Sequence, residues 1–234
     1  MILKIKKKDN HYYFTRNHVE LKTLNNNKIK IRDKKLAMRL LKYLTKCIKS
    51  KNKNKIFFLQ ILYFNFDLNN KNKKVLINKL INYLHTDLLC YRAEDNTELA
   101  KIQTRLWQPL INYAFKNYKI HLKSESGIMP IRQDSHNNIY LSKFLNKLNS
   151  IEFSTYFFIT NFSNSNIIAL NFMTNNIVSV KAWQCLSLEE TYSQKKWGKD
   201  KEVQDKLLEK KKYFDEIINF NLLLTNQEIC NERN

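Results

Sequence analysis

YLHTDLLCYRAEDNTELAKIQTRLWQPLINYAFKNYKIHLKSESGIMPIRQ, residues Tyr83 to Gln133, carries most of the informative residues of this chain. Asp95 and Glu98 are acidic residues at the head of an apolar-periodic run. They predict a helix from Asp95 to Trp107, because carboxylates suit the positive end of the helix dipole. Gln103 and Trp107 share that helix. Pro109 has no amide proton, so it predicts a new turn or helix, running to about Tyr118, rather than continuation of the old one. Ile120 and Leu122 read as a short extended piece. Gly127, one of only two glycines in the chain, marks a turn ahead of Met129 and Pro130. Cys90, Tyr91 and Arg92 precede the acidic helix start. The stretch describes a shaped surface and spells no reaction.

Upstream, residues 1–32 alternate in short apolar stretches. Asp9-Asn10, Arg16-Asn17 and Asn25-Asn26-Asn27 punctuate them as turns, so they read as strands. Asp33 caps a predicted helix from Lys34 to Lys49, with Leu36, Leu40, Leu41 and Leu44 on one face. Ser50 to Lys55 reads as a basic loop and Ile56 to Phe66 as a buried strand. From about Asn72 the apolar period is helical, with Val75, Leu76, Leu80, Ile81 and Leu84 on one face ending near His85. Downstream, His136 to Asn149 is amphipathic and Ile151 to Asn161 strongly aromatic. Asn164 to Met173 is almost uniformly apolar, as a central helix should be. Lys181 to Lys196 and Lys201 to Leu224 read as the last two helices, broken at Trp197-Gly198, where Gly198 serves as C-terminal cap. The expected fold class is α+β: a small β-rich N-terminal domain with one helix, residues 1–72, followed by a mainly helical domain, residues 73–234.

Composition narrows the function. Hydrophobic residues make up 43% of 234, with 14 Phe and 12 Tyr, which is enough for a packed core. Two Gly and two Pro are too few for a turn-rich β protein, and Asn takes over many turns because it tolerates the left-handed conformation. A net charge of +20 has two readings. One is attraction to nucleic acid or an anionic surface; the other is drift toward AT-rich codons, since Lys, Asn and Ile are all heavily used. Cys47, Cys90, Cys185 and Cys230 form no CxxC and no Cys/His ligand set. Five isolated histidines, no GxSxG and no Gly-rich phosphate loop leave neither a metal site nor a nucleotide cradle. No apolar run approaches the 18 residues a membrane span needs, and the first residues lack the apolar core of a secretory signal.

Cys90 beside Arg92 is the one candidate thiolate; the alternative is a buried structural cysteine. Glu189 and Glu190 point about 100° apart on a helix, so they do not form a paired acid–base site. They make an acidic spot in a basic chain, solvated or facing a partner. Trp107 and Trp197 suit either core or a binding hot spot.

TDLLCYRAED (Thr86 to Asp95), Gln103, WQPL (Trp107 to Leu110) and GIMPIRQ (Gly127 to Gln133) resemble the F1-ATPase assembly chaperones that attend the alpha subunit of ATP synthase. A second block, LEETYSQKKWGKDKE (Leu188 to Glu202), is similar to the family's L-E/D-E-x-Y/W-Q-x-x-x-W-G pattern, with the bacterial WG-x-D-x-E continuation at Trp197, Gly198, Asp200 and Glu202. ELKT at Glu20 to Thr23 looks like the family's first L-K-T-P strand, with Leu24 in place of proline. The resemblance implies a non-catalytic, cofactor-free, monomeric chaperone that binds the unassembled alpha subunit until beta displaces it. It implies partner contacts at Glu189, Glu190, Trp197 and Asp200, the family's important acidic position falling on either glutamate. Asp87, Cys90, Tyr91, Arg92, Gln103, Trp107, Pro109, Gly127, Met129, Pro130 and Gly198 are the other motif positions. The expected location is a bacterial cytoplasm, or else a mitochondrial matrix, with no nucleic acid bound and no membrane insertion. The competing readings are a basic nucleic-acid-binding or ribosome-associated module and an enzyme using Cys90.

Overall fold

The computed structural model describes residues 3–49, 53–127, 131–198 and 200–225. The strands are β1 (Leu3–Lys8), β2 (His11–Arg16), β3 (Val19–Glu20), β4 (Lys30–Ile31), β5 (Tyr91–Arg92) and β6 (Glu125–Ser126). The helices are α1 (Lys34–Lys49), α2 (Lys53–Asp67), α3 (Asn70–His85), α4 (Glu98–Tyr118), α5 (His136–Lys147), α6 (Ser150–Ser163), α7 (Asn166–Met173), α8 (Ser179–Leu186), α9 (Leu188–Trp197) and α10 (Lys201–Leu224). The expected α+β class holds. The chain forms two compact units: residues up to Asn69 together with those from Asp215 on, and Asn70–Phe214. Two contiguous domains, 1–72 and 73–234, were the expectation; the observed division returns the last turns of α10 to the N-terminal unit.

In the first unit β2 pairs antiparallel with β1, β3 and β4. Asp9-Asn10 and Asn17-His18 turn the chain with positive φ at each residue, the geometry two-residue hairpins require. Asn here replaces the scarce glycine. Asp33 Oδ1 accepts the Leu36 N–H at 2.6 Å and starts α1. The segment expected to be a strand, Ile56 to Phe66, lies within helix α2. Its buried residues are Phe58, Ile61, Leu62 and Asn65, which is the i, i+3, i+4, i+7 spacing of one helical face. Apolar residues on the other faces hide that period in the sequence. Helix α2 also takes in Lys53 to Lys55 of the expected loop. Glu216 of α10 is buried, and it accepts hydrogen bonds from Tyr43 Oη and, at 2.6 Å, from Lys55 Nζ. Beside them Phe58 packs on Tyr43 and Phe220.

The second unit is built on α7, whose Asn166 to Asn171 are all buried. Its start is organised by Asp87, fully buried at the end of the segment that follows α3. The carboxylate accepts the Leu89 N–H at 3.1 Å, the Ser165 hydroxyl at 2.7 Å and the Ile167 N–H at 3.1 Å. Three donors satisfy one buried anion and cap both the 3-10 turn Leu88–Cys90 and α7. Asn166 adds to the joint. Its side chain donates to Leu80 O at 2.8 Å and accepts from Tyr156 Oη at 3.0 Å.

Pro109 does not begin a helix; α4 runs through it unbroken. Pro109 and Arg105 both face solvent, so the carbonyl of Arg105, left without its helical donor, meets water. The buried face of α4 (Gln103, Trp107, Leu110, Ile111, Ala114) holds the two halves in line. The single helix expected over Lys181 to Lys196 is two, α8 and α9. Ser187 bonds back to Trp183 O through both its N–H (3.0 Å) and its hydroxyl (2.8 Å), ending α8.

Burial raises the Asp87 pKa from 3.8 to about 6, against the pull of its Ser165 and backbone hydrogen bonds. Between those values the folded state holds the proton more tightly than the unfolded chain. The group's contribution to stability therefore grows as pH falls toward 3.8 and is lost as pH rises through 6. Urea unfolding of wild type and Asp87→Asn at pH 5 and 7.5 should show the gap between them widening in favour of wild type at pH 5, by roughly 1–1.5 kcal/mol. A gap independent of pH contradicts this.

Candidate functional site

Helix α4 opens after Asn96, which has positive φ. Thr97 caps it, its hydroxyl accepting the Ala100 N–H at 3.2 Å. One turn in, Gln103 is buried and uses both ends of its amide. Oε1 accepts the Ala93 N–H at 2.8 Å, and Nε2 donates to Glu189 Oε1 at 2.8 Å. A turn later on the same face, Trp107 is fully buried, and its indole N–H donates to Cys185 O at 3.0 Å. The Arg92 guanidinium lies 5.1 Å from the Trp107 ring centre. Its Nη atoms are buried without a hydrogen-bond partner among the described residues, so the indole face is its visible compensation. The ridge Gln103–Trp107 thus holds the Arg92–Ala93 segment, the end of α8 and the start of α9 in one arrangement.

The face of α9 looking back at this ridge is Glu189, Tyr192, Ser193, Lys196 and Trp197. Together with Ala93, Glu94, Thr97 and Leu99 it encloses a groove of about 370 Å³. Tyr192 is tied across the groove by its hydroxyl to Glu98 Oε2 at 3.3 Å. Trp197 stands 79% exposed at the rim. Glu189 is reachable from solvent, yet the protein packed around its carboxylate raises its pKa, partly offset by the Gln103 hydrogen bond. Glu190, one position on, looks elsewhere and pairs with Lys210 at 2.5 Å. The two glutamates therefore have different partners.

The other described motif positions lie outside this groove. Burial pushes the Cys90 thiol well above its ordinary range, and Asp87 adds to the effect. A thiol kept protonated in the core is no nucleophile. Tyr91 and Arg92 form β5, paired parallel with Glu125 and Ser126 of β6, and Gly127 N–H donates to Arg92 O at 3.1 Å. Gly127 adopts φ +97°, a conformation side chains resist. Met129 and Pro130 lie outside the described residues. Ile120 and Leu122 are buried, and two side-chain amides serve that segment as a strand partner would. Asn137 pairs both ways with His121 at 2.8 Å, and Gln133 with Lys123 at 2.9 Å. Gly198 (φ +97°) ends α9. Asp200 starts α10, its Oδ1 accepting the Glu202 and Val203 N–H groups at 2.7 and 3.2 Å. Tyr192 and Lys196 were not singled out from the sequence. Positions 189, 192, 193, 196 and 197 follow the spacing of one helical face, and that pattern was available to find them.

The family described as ATP12 chaperone protein matches residues 3–115. That match takes in a little under half of the chain, and over those residues the chain is similar to the ATP12 chaperone family. Its fold agrees with Atp12 from Paracoccus denitrificans at a TM-score of 0.80, covering 94% of this chain and 95% of that one at 19% identity. A chaperone candidate from Agrobacterium tumefaciens agrees at 0.82, covering 95% and 84%, also at 19% identity. The ATP12 match ends within α4, so α9 and its groove are tied to these proteins by fold alone. No helix among the described residues is long and apolar enough to cross a membrane.

Stability should separate the two ends of the central hydrogen bond. Gln103→Leu strands the Ala93 N–H and should cost about 1–3 kcal/mol. Glu189→Gln, at an accessible position, should change stability by no more than about 0.5 kcal/mol. Chemical denaturation of both variants checks this; equal losses would mean that Glu189 is itself part of the fold's support.

Proposed function

We propose that this chain is an ATP12-type assembly chaperone for ATP synthase, which binds the unassembled alpha subunit of the F1 sector, shields the surface that later meets beta, and is displaced when beta arrives. The match of residues 3–115 to the ATP12 chaperone family is the observation that carries the reading. The groove beside α9 supplies a means: an exposed indole, an accessible carboxylate and apolar floor residues are the ingredients of a protein-binding hot spot. An isolated subunit exposes apolar interface that aggregates, and covering it keeps the subunit soluble. Release needs only that beta bind the same surface better. No catalytic step enters, and the buried Cys90 offers none. The chain acts as a monomer, without nucleic acid, in a bacterial cytoplasm or, for an organellar gene, in the mitochondrial matrix.

The test is co-expression with the cognate alpha subunit in the absence of beta. Alpha should become soluble and co-purify with the chain, and Trp197→Ala should weaken the complex about tenfold or more. Alpha that stays aggregated and unbound beside folded wild-type chain overturns the reading.

A further inference from the structure

Glu189 is an anion with an unused side. Gln103 occupies Oε1, and none of the described basic residues forms an ion pair with its carboxylate. Around it the groove offers a second carboxylate, Glu94, and two aromatic rings, Tyr192 and Trp197. Both rings already receive a cation, since Lys196 Nζ lies 5.9 Å from the Tyr192 ring centre and 5.1 Å from that of Trp197.

We propose that this groove captures an arginine side chain of the client, Glu189 pairing with the guanidinium, Trp197 and Tyr192 stacking on its plane, and Gln103 acting as the positioning residue that aims the carboxylate. The inference rests on the client-binding reading above and names the chemistry of the same site. At about 370 Å³ the groove is at the small end of ligand pockets, which run from about 300 to 1,000 Å³; it admits a long side chain. An anionic occupant would face Glu94 and Glu189. An apolar one would finish desolvating Glu189 and leave it unpaired, which costs free energy that a cation would instead offset. Arginine fits better than lysine. Its guanidinium is planar and weakly hydrated, it stacks on aromatic faces, and it forks onto carboxylates. Gln103 is fully buried and held from behind by the Ala93 N–H, so it fixes the direction of the carboxylate before the client arrives. Lys196 is the resident competitor that an incoming cation must move off the rings.

The full chain is titrated with the blocked tripeptide Ac-Leu-Arg-Leu-NH2 and with its citrulline counterpart, following the indole N–H resonance of Trp197, and in parallel with purified alpha subunit. The arginine peptide should shift that resonance, and citrulline should bind about tenfold more weakly or worse. Glu189→Gln should cost about tenfold for both the arginine peptide and alpha. Lys196→Ala should act in the opposite direction, strengthening both about two- to fivefold. Gln103→Leu should move the acid midpoint of arginine-peptide binding upward, because the amide no longer stabilises the carboxylate; a merely structural role leaves that midpoint in place. The titratable neighbours in that profile are Glu94, Glu98, Glu190, Tyr192 and Lys196. Should Gln103→Leu fail to fold, the opposite signs at Glu189 and Lys196 decide alone. Equal binding of arginine and citrulline, or weakening by Lys196→Ala, overturns the inference. Alpha that binds wild type and Glu189→Gln equally overturns the arginine site and leaves client binding standing. Alpha that does not bind while the arginine peptide does removes the client reading and leaves the groove's chemistry.

Discussion

A buried carboxylate with three donors, Asp87, is the constraint on which the second unit depends. α7 begins inside the protein, where its first amide groups have no water to bond. Asp87 supplies the acceptors from another segment, through Ser165 and the Ile167 N–H. The same group closes the turn through the Leu89 N–H. The chain therefore leaves α3 in one direction only, and Cys90, Tyr91 and Arg92 follow in fixed places. Burying the charge is unfavourable, as the raised pKa records, but an apolar residue there would strand three donors at once.

From that joint the order passes to the surface. Arg92 lies over Trp107, Trp107 holds the end of α8, and Gln103 links Ala93 to Glu189. These contacts join segments from 10 to 86 positions apart in sequence. The site that results is an acidic spot on a chain of net charge +20. Long-range electrostatics cannot account for it; local geometry does. Helix phase divides the two adjacent glutamates, sending Glu190 to Lys210 and leaving Glu189 in the groove.

Much of the fold was legible because one period dominated each stretch. Lys34 to Lys49 and Lys201 to Leu224 read as helices with the bounds observed, and Asn at positive φ recurs in the turns as the shortage of glycine required. Two failures share a cause, tertiary burial overriding a local signal. Ile56 to Phe66 is apolar on every face, so its helical period was invisible. Pro109 is a genuine helix breaker whose damage falls on the wet side of α4, which only packing reveals. The candidate site was half legible. Residue type picked out Glu189, Glu190, Trp197 and Gln103, and the resemblance added a partner to the first three. It could not say that Glu190 pairs with Lys210, that Asp200 caps α10, or that Gln103 touches Glu189 from 86 positions away in sequence.

The central claim is that the client meets the groove face of α9, the face that carries Glu189. The most direct measurement is the affinity of purified alpha for the Glu189→Lys and Glu190→Lys proteins, compared with wild type in one titration series. The account predicts that reversal at Glu189 removes binding, whereas reversal at Glu190, which breaks only a surface ion pair with Lys210, keeps it within about threefold of wild type. Equal losses at the two positions, or a loss confined to Glu190, would contradict it.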